Sequence, residues 1–140
     1  MPSGILQWLK SLGNPPQQRQ PELLRITNPA RQTAIGDRIQ VADRGELRRK
    51  GLLGRTALGP GDGLWIVPCE AVHMFGMKFA LDVIFLDRKR RVVKVRRNLR
   101  PGRLSGSLRA HSVLELPVGT IDATSTQPGD QLAFDRTTTC

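Results

Sequence analysis

The stretch KFALDVIFLD, residues 78 to 87, constrains the fold of this chain more than any other. At the two-residue period of an extended strand, Phe79, Leu81, Val83 and Phe85 share one face. Ala80, Asp82, Ile84 and Leu86 share the other. A strand with one face in water alternates apolar and polar residues, whereas a strand apolar on both faces has to be covered on both. The stretch therefore predicts a central strand with a single carboxylate, Asp82, buried in it. An unpaired buried charge costs several kcal/mol, so Asp82 needs hydrogen bonds or a neutralising partner.

Short strand-like segments surround it. ELLRIT (22–27), DRIQVAD (37–43), LWIVP (64–68), RVVKVRR (91–97), HSVLELP (111–117) and a last segment at 130–134 all have strand composition. The turn DRKR (87–90) makes 78–97 a β-hairpin, with Val93 and Val95 on one face of the return strand and Val92, Lys94 and Arg96 on the other. In HSVLELP, Leu114 and Leu116 alternate with Val113 and Glu115, so Glu115 is a second carboxylate in an apolar strand. RGELRRKGLLGR (44–55) changes to helical spacing, and Gly51 and Gly54 mark its end. ALGPGDG (57–63) and the basic RPGRLSGS (100–107) are loops, and 118–134 suggests a turn or short helix before the last strand. Ten prolines and fourteen glycines agree with many turns and short elements. The expected fold is mainly β (α+β), a compact β-sheet or barrel-like single domain over 22–135 with one short helix near residues 44–53. Residues 1–21 read as an N-terminal segment with a Pro/Gln-rich linker, and 136–140 as a C-terminal tail.

Composition excludes some classes. A chain of 140 residues can build one core without disulfide staples. Cys69 and Cys140 read as free thiols in a reducing compartment, so a cytoplasmic location is expected. No apolar run approaches the roughly 18 residues that would predict a membrane-spanning helix. Residues 1–21 lack the basic start of a secretory signal, and Lys10 breaks their apolar part. Ile5, Leu6, Trp8, Leu9 and Leu12 form a short amphipathic stretch that could dock on a membrane or partner.

The net charge of +10 resides in one segment. Arg88, Lys89, Arg90, Arg91, Lys94, Arg96, Arg97, Arg100, Arg103 and Arg109 occur with no acidic residue among them, while the other 12 basic residues balance all 12 acidic ones. Such a run can neutralise phosphates or an acidic protein. Single-strand binders interleave aromatic residues for stacking, however, and none lies between Phe85 and Phe134. A solvated hairpin edge that discourages edge pairing explains the same charges.

Chemistry-bearing residues cluster near VPCEAVHMFGMKF. Cys69, His73 and Met77, four residues apart, are soft ligand types that favour Cu(I). His111 and Asp82 could complete a set only if the fold brings them near. Met and free Cys are also ordinary core residues, and the paired spacing of a zinc site is missing. No cofactor is predicted, and a Cu(I) site is the alternative. Cys69 beside His73 would be a nucleophile only with a depressed thiol pKa. Asp82 and Glu115 could form a general acid/base pair if their strands are neighbours, or each could anchor backbone. The favoured reading is a non-enzymatic binding or accessory protein with a surface at His73, Met77, Arg96, Arg97, Arg100 and Arg103. The alternatives are an enzyme or metal-dependent protein using Cys69, His73, Asp82 and Glu115, and nucleic-acid binding through 88–109.

In order along the chain, GLLGR, GLWIVPCEAVHMFGMKFALDVIFLD, VLELPVGTI and GDQLAF resemble the bacterial and archaeal domain-of-unknown-function family number 192, the uncharacterised ACR family. The similarity runs from Glu22 to Asp135. His73, Met77, Asp82, Glu115, Gly119, Gly129 and Asp130 stand at the family's motif positions, and Cys69 matches the branch with Pro-Cys before the His. Met74 replaces a frequent Thr, and the 88–97 hairpin is more basic than is usual there. The resemblance implies a compact β-rich domain with a small helix and no assigned reaction.

Overall fold

The computed structural model describes residues 22–137, so the expected N-terminal segment and linker at 1–21, and 138–140 of the tail, lie outside the described residues. The chain runs β1 (Leu23–Asn28), a 3-10 turn (Pro29–Arg31), β2 (Thr33–Ala42), α1 (Gly45–Lys50), β3 (Asp62–Ile66), β4 (Ala71–His73), β5 (Leu81–Leu86), β6 (Val92–Leu99), β7 (Leu104–Gly106), β8 (Ser112–Leu116), α2 (Thr120–Thr124) and β9 (Ala133–Arg136). The expected mainly β architecture is present. Two strands exceed the expectation: the basic loop at 100–107 contains β7, which pairs with the unforeseen β4. The turn or short helix expected within 118–134 is the helix α2.

Seven strands form one sheet in the order β6-β5-β8-β3-β2-β1-β9, while β4 and β7 form a separate two-stranded ribbon. Neighbours in the large sheet are antiparallel except β2 and β3, which are parallel. A parallel pair needs a crossover rather than a hairpin, and α1 with the following loop supplies it. The two ends of the sheet meet. Arg91 bridges to Gln131, the Val92 N–H donates to the Asp130 carbonyl at 2.8 Å, and the Leu132 N–H donates to the Arg90 carbonyl at 3.1 Å. The sheet thus curls into a barrel-like body, and part of the β6 edge is paired rather than bare.

Curling divides the apolar residues into two cores. The inner core draws on strands all round the barrel, with Ile26, Ile39, Ile84, Leu86, Leu114 and Leu116 wholly buried beside Ile121 of α2. The outer core lies on the other face of β3, β8, β5 and β6. There Leu64, Leu81, Val83, Phe85, Leu99 and Val113 are covered by Leu52 behind α1 and by Val72 and Met74 at the β4 ribbon. All six residues of β5 are buried, as expected for a strand covered on both sides.

The β6 expectation needs one correction. Phe85 pairs with Lys94 and Leu86 with Val92, so Val93 is an extra residue in a β-bulge. Val95 therefore packs on the inner core and Val93 on the outer one, rather than both on one face.

Asp130 ties the barrel together at its closing seam. Its carboxylate accepts from Asn28 Nδ2 at 2.9 Å, from Arg31 Nε and Nη2 at 3.1 Å, and from the Gln127 N–H at 3.0 Å. The Arg31 guanidinium, with help from Asn28 and Gln127, holds this carboxyl below the usual range. Asp130 thereby links the β1 turn to the segment that closes the sheet.

Candidate functional site

Asp82 lies on the inner-core face of β5, between Ile84 and the Leu116 it pairs with on β8. It is 1% exposed. Its Oδ1 accepts the Asn98 N–H at 3.0 Å, and its Oδ2 accepts the Gly119 and Ile121 N–H groups at 3.1 and 2.9 Å. Each bond repairs a local irregularity. Leu81 pairs with Leu99 but Val83 with Arg96, so β6 carries an extra residue just where Asn98 donates. Gly119, at φ +96°, precedes α2 in the left-handed region that favours glycine, and turns its N–H to the carboxylate. Ile121 supplies an early helical N–H that has no partner within α2. Asp82 is an anchor for backbone.

Glu115 faces the other way. It pairs with Val83 of β5 and Leu64 of β3, and both of those side chains belong to the outer core. The expectation of an Asp82–Glu115 acid/base pair is therefore overturned. The strands are neighbours, but the residue opposite Asp82 is Leu116, one position on, and a shift of one residue puts a side chain on the opposite face. Glu115 is 6% exposed and its carboxylate has no hydrogen-bond donor among the described residues, so it is not an anchor of the Asp82 kind. Burial pushes its pKa up to about 7.

Cys69 is half-buried against the outer core, and its Sγ donates to the Ala71 carbonyl at 3.1 Å. Burial pushes the thiol up, and the nearby Glu115 charge adds to the rise. That is the reverse of the depressed pKa that activates a thiol.

His73 is on the exposed side of β4, because its neighbours Val72 and Met74 point into the outer core. Its ring stacks on Phe75 with centroids 5.3 Å apart, and Leu104 is its pairing partner on β7. Met77 packs on the outer core as Cys69 does, so those two side chains turn inward while His73 turns to solvent. His111 is half-buried and its backbone links the Cys69 N–H to Leu86 of β5. Among the described residues no group of three or more His, Cys, Asp or Glu is placed to hold a metal ion.

The ten cations of the basic segment do not form one stripe. Arg97 pairs with Asp122 at 2.7 Å, and Lys94 donates to the Gly106 carbonyl at 2.7 Å. Arg88, Lys89, Arg91 and Arg109 border a shallow depression of about 650 Å³ that also takes in Glu70, Asp87 and His111. Arg96, Arg100 and Arg103 are exposed.

Arg90 belongs to a site that the sequence reading missed. At one mouth of the barrel a cleft of about 370 Å³ is lined by Leu24, Val41, Trp65, Val67 and Phe134, with Glu22, Asp43, Arg90 and Arg136 among its charged residues. Trp65 and Phe134 meet edge to face at 4.8 Å, and the Arg90 guanidinium lies 5.2 and 4.4 Å from their ring centres. The available signal was scarcity. Of only six aromatic residues in the chain, two fall in the separate strand segments LWIVP and QLAF.

No described helix is long and apolar enough to cross a membrane. In solved structures the fold recurs in a protein of unknown function from Novosphingobium aromaticivorans, at TM-score 0.70 and 24% identity, covering 86% of this chain and 89% of that one. It recurs also in a Sinorhizobium meliloti chain that carries a provisional transcription-regulator label, at TM-score 0.68 and 22% identity, covering 82% and 94%. Both likenesses concern the fold. A UPF0127 protein of Thermococcus sibiricus is 35% identical over 109 residues, 70% of this chain and 66% of that relative's length, just under two thirds. The family model described as uncharacterized ACR, domain of unknown function 192, matches residues 26–134, and the chain belongs to that family.

Proposed function

We propose that this chain is a non-enzymatic binding or accessory protein whose contact surface is the outer side of the β4–β7 ribbon with the basic loop beside it. The observation that carries this is the exposure of apolar side chains at that ribbon: Leu104 of β7 is 70% exposed and Phe75, in the turn after β4 and stacked on His73, is 54% exposed. The Met74 N–H donates to the Arg103 carbonyl at 2.7 Å, and the Gly102 N–H donates to the Met74 carbonyl at 2.9 Å. These bonds hold the 100–103 loop, with Arg100 and Arg103, beside Phe75. Apolar anchors rimmed by charge are typical of a protein contact. The chemistry suits an acidic segment with apolar side chains, Met77 forming part of the half-buried support. A cytoplasmic partner fits the free Cys69 thiol.

The test is fluorescence anisotropy with acidic, aromatic-containing peptides against charge-reversed controls. Paired Phe75→Ser and Leu104→Ser changes should weaken binding by about tenfold, about 1.4 kcal/mol, with the fold intact. Equal binding of both peptide sets, or no effect of the changes, rejects the reading.

Nucleic-acid binding is the second reading, supported by the cations around the 88–109 depression and by the label on the Sinorhizobium protein. It requires a steep salt dependence that weakens on charge reversal at Arg88, Lys89, Arg91 and Arg109, which border that depression. Binding that ignores salt removes it.

A further inference from the structure

We propose that the barrel mouth is a binding site for a small organic monocarboxylate with an apolar body. Three observations converge on it. The first is shape and lining. The cleft of about 370 Å³ falls in the range of small-molecule sites, and Leu24, Val41, Val67, Trp65 and Phe134 supply the apolar part of a lining shared with Glu22, Asp43, Arg90 and Arg136.

The second is charge. Glu22 is engaged by Arg136 at 3.2 Å, whereas Arg90 makes no ion pair among the described residues. Its guanidinium lies over both rings, and its five donors are free of any carboxylate. Its backbone is fixed: the Leu132 N–H donates to the Arg90 carbonyl, and Gln131 Nε2 donates to the Lys89 carbonyl. The cation is therefore held at the mouth by the same contacts that close the barrel. Arg90 can grip one carboxylate while Asp43 on the rim, which pairs with no cation among the described residues, opposes a second negative charge, which favours monoanions over dianions.

The third is an orphan donor. Trp65 lines the cleft, and its indole Nε1 is buried with no hydrogen-bond partner. Buried donors are almost always satisfied, so one at a concave site points to an acceptor that the protein alone does not supply. A carboxylate seated on the Arg90 guanidinium accepts from it directly and reaches the Trp65 N–H on a small shift of the ring, while its apolar body packs on Phe134, Val41 and Leu24.

The experiment uses the full chain carrying Trp8→Phe, so that Trp65 is its single tryptophan, with 3-phenylpropionate and 3-phenylpropanamide as probes. The carboxylate should give a saturable Trp65 fluorescence change with Kd on the order of 1 mM or below. The amide should bind about tenfold more weakly, as loss of a charge-assisted pair requires. Arg90→Met, which keeps the apolar stem, should reproduce that loss for the carboxylate, while Arg96→Gln should leave it unchanged. The absence of saturation in folded protein, equal affinity for acid and amide, or indifference to Arg90→Met would each overturn the proposal. The probe comparison needs no substitution in the cleft, so a poorly folding variant cannot protect the proposal.

Discussion

Asp82 and Glu115 are buried carboxylates on adjacent strands, a single register step apart, yet the protein treats them in opposite ways. Asp82 enters the inner core and receives three backbone N–H groups. Glu115 enters the outer core among Leu64, Val83 and Val113 and receives none among the described residues. The inner face is crossed by a bulge and a helix start, both of which leave N–H groups in need of an acceptor. The outer face is covered mainly by side chains, Leu52, Val72 and Met74, which have nothing to donate. Burial alone thus does not give a carboxylate its role. The backbone that covers it does.

The strongest way to break this contrast is Asp82→Ala. It leaves three buried N–H groups without an acceptor and should destabilise the protein by roughly 3–5 kcal/mol in urea unfolding. Asp82→Asn, which retains one acceptor oxygen, should lose less. A change below about 1 kcal/mol for Asp82→Ala would show that the bulge and α2 do not depend on the carboxylate.

Glu115 should show its role in a pH series. Its folded pKa of about 7 lies above the ordinary 4.5, so the folded state holds the proton more tightly than the unfolded one. The associated stability is complete below the ordinary value, falls as pH rises through about 7, and is gone above it. The gap is worth about 3 kcal/mol. Glu115→Gln should flatten this slope, and Glu115→Leu should be more stable than wild type at pH 8. A wild-type stability curve without decline over that range would mean that a donor reaches Glu115 after all.

Cys69 samples the same outer core from its edge. In a Cys140→Ser background its alkylation by iodoacetamide at neutral pH should be slower than that of an unstructured cysteine, because burial raises the thiol. Faster alkylation would restore the activated-thiol reading. The smallest effect belongs to the surface. Arg97 and Asp122 pair at 2.7 Å but both are more than half exposed, so Arg97→Ala should shift stability by no more than about 0.5 kcal/mol at moderate salt. A larger loss would mean that the pair supports the Asp82 bulge beside it.

Much of the fold was legible because strand and helix patterns are local. KFALDVIFLD showed a strand covered on both faces and a carboxylate in need of partners, and RGELRRKGLLGR showed the helix. The short ribbon β4–β7 was not legible, since three-residue strands carry too few alternations to stand out from a loop. The bulge at Val93 was hidden for a related reason: an inserted residue shifts every later side chain to the other face without changing composition.

The candidate sites divide along the same line. Residue types alone marked His73, Asp82 and Glu115, and the ordered motifs marked the family. Whether Asp82 and Glu115 could meet depended on the β5–β8 register, which is a relation between segments some 33 residues apart. The meeting of Trp65, Arg90 and Phe134 depended on the closure of the barrel, which brings the β5–β6 turn against the entry to β9. By itself the sequence determined which segments extend, which residues avoid water and which charges need a partner, because those follow from periodicity and transfer energies. Only the tertiary structure decided which face each charge enters and which distant side chains share a cleft, because pairing register and sheet closure are set by contacts that no local period records.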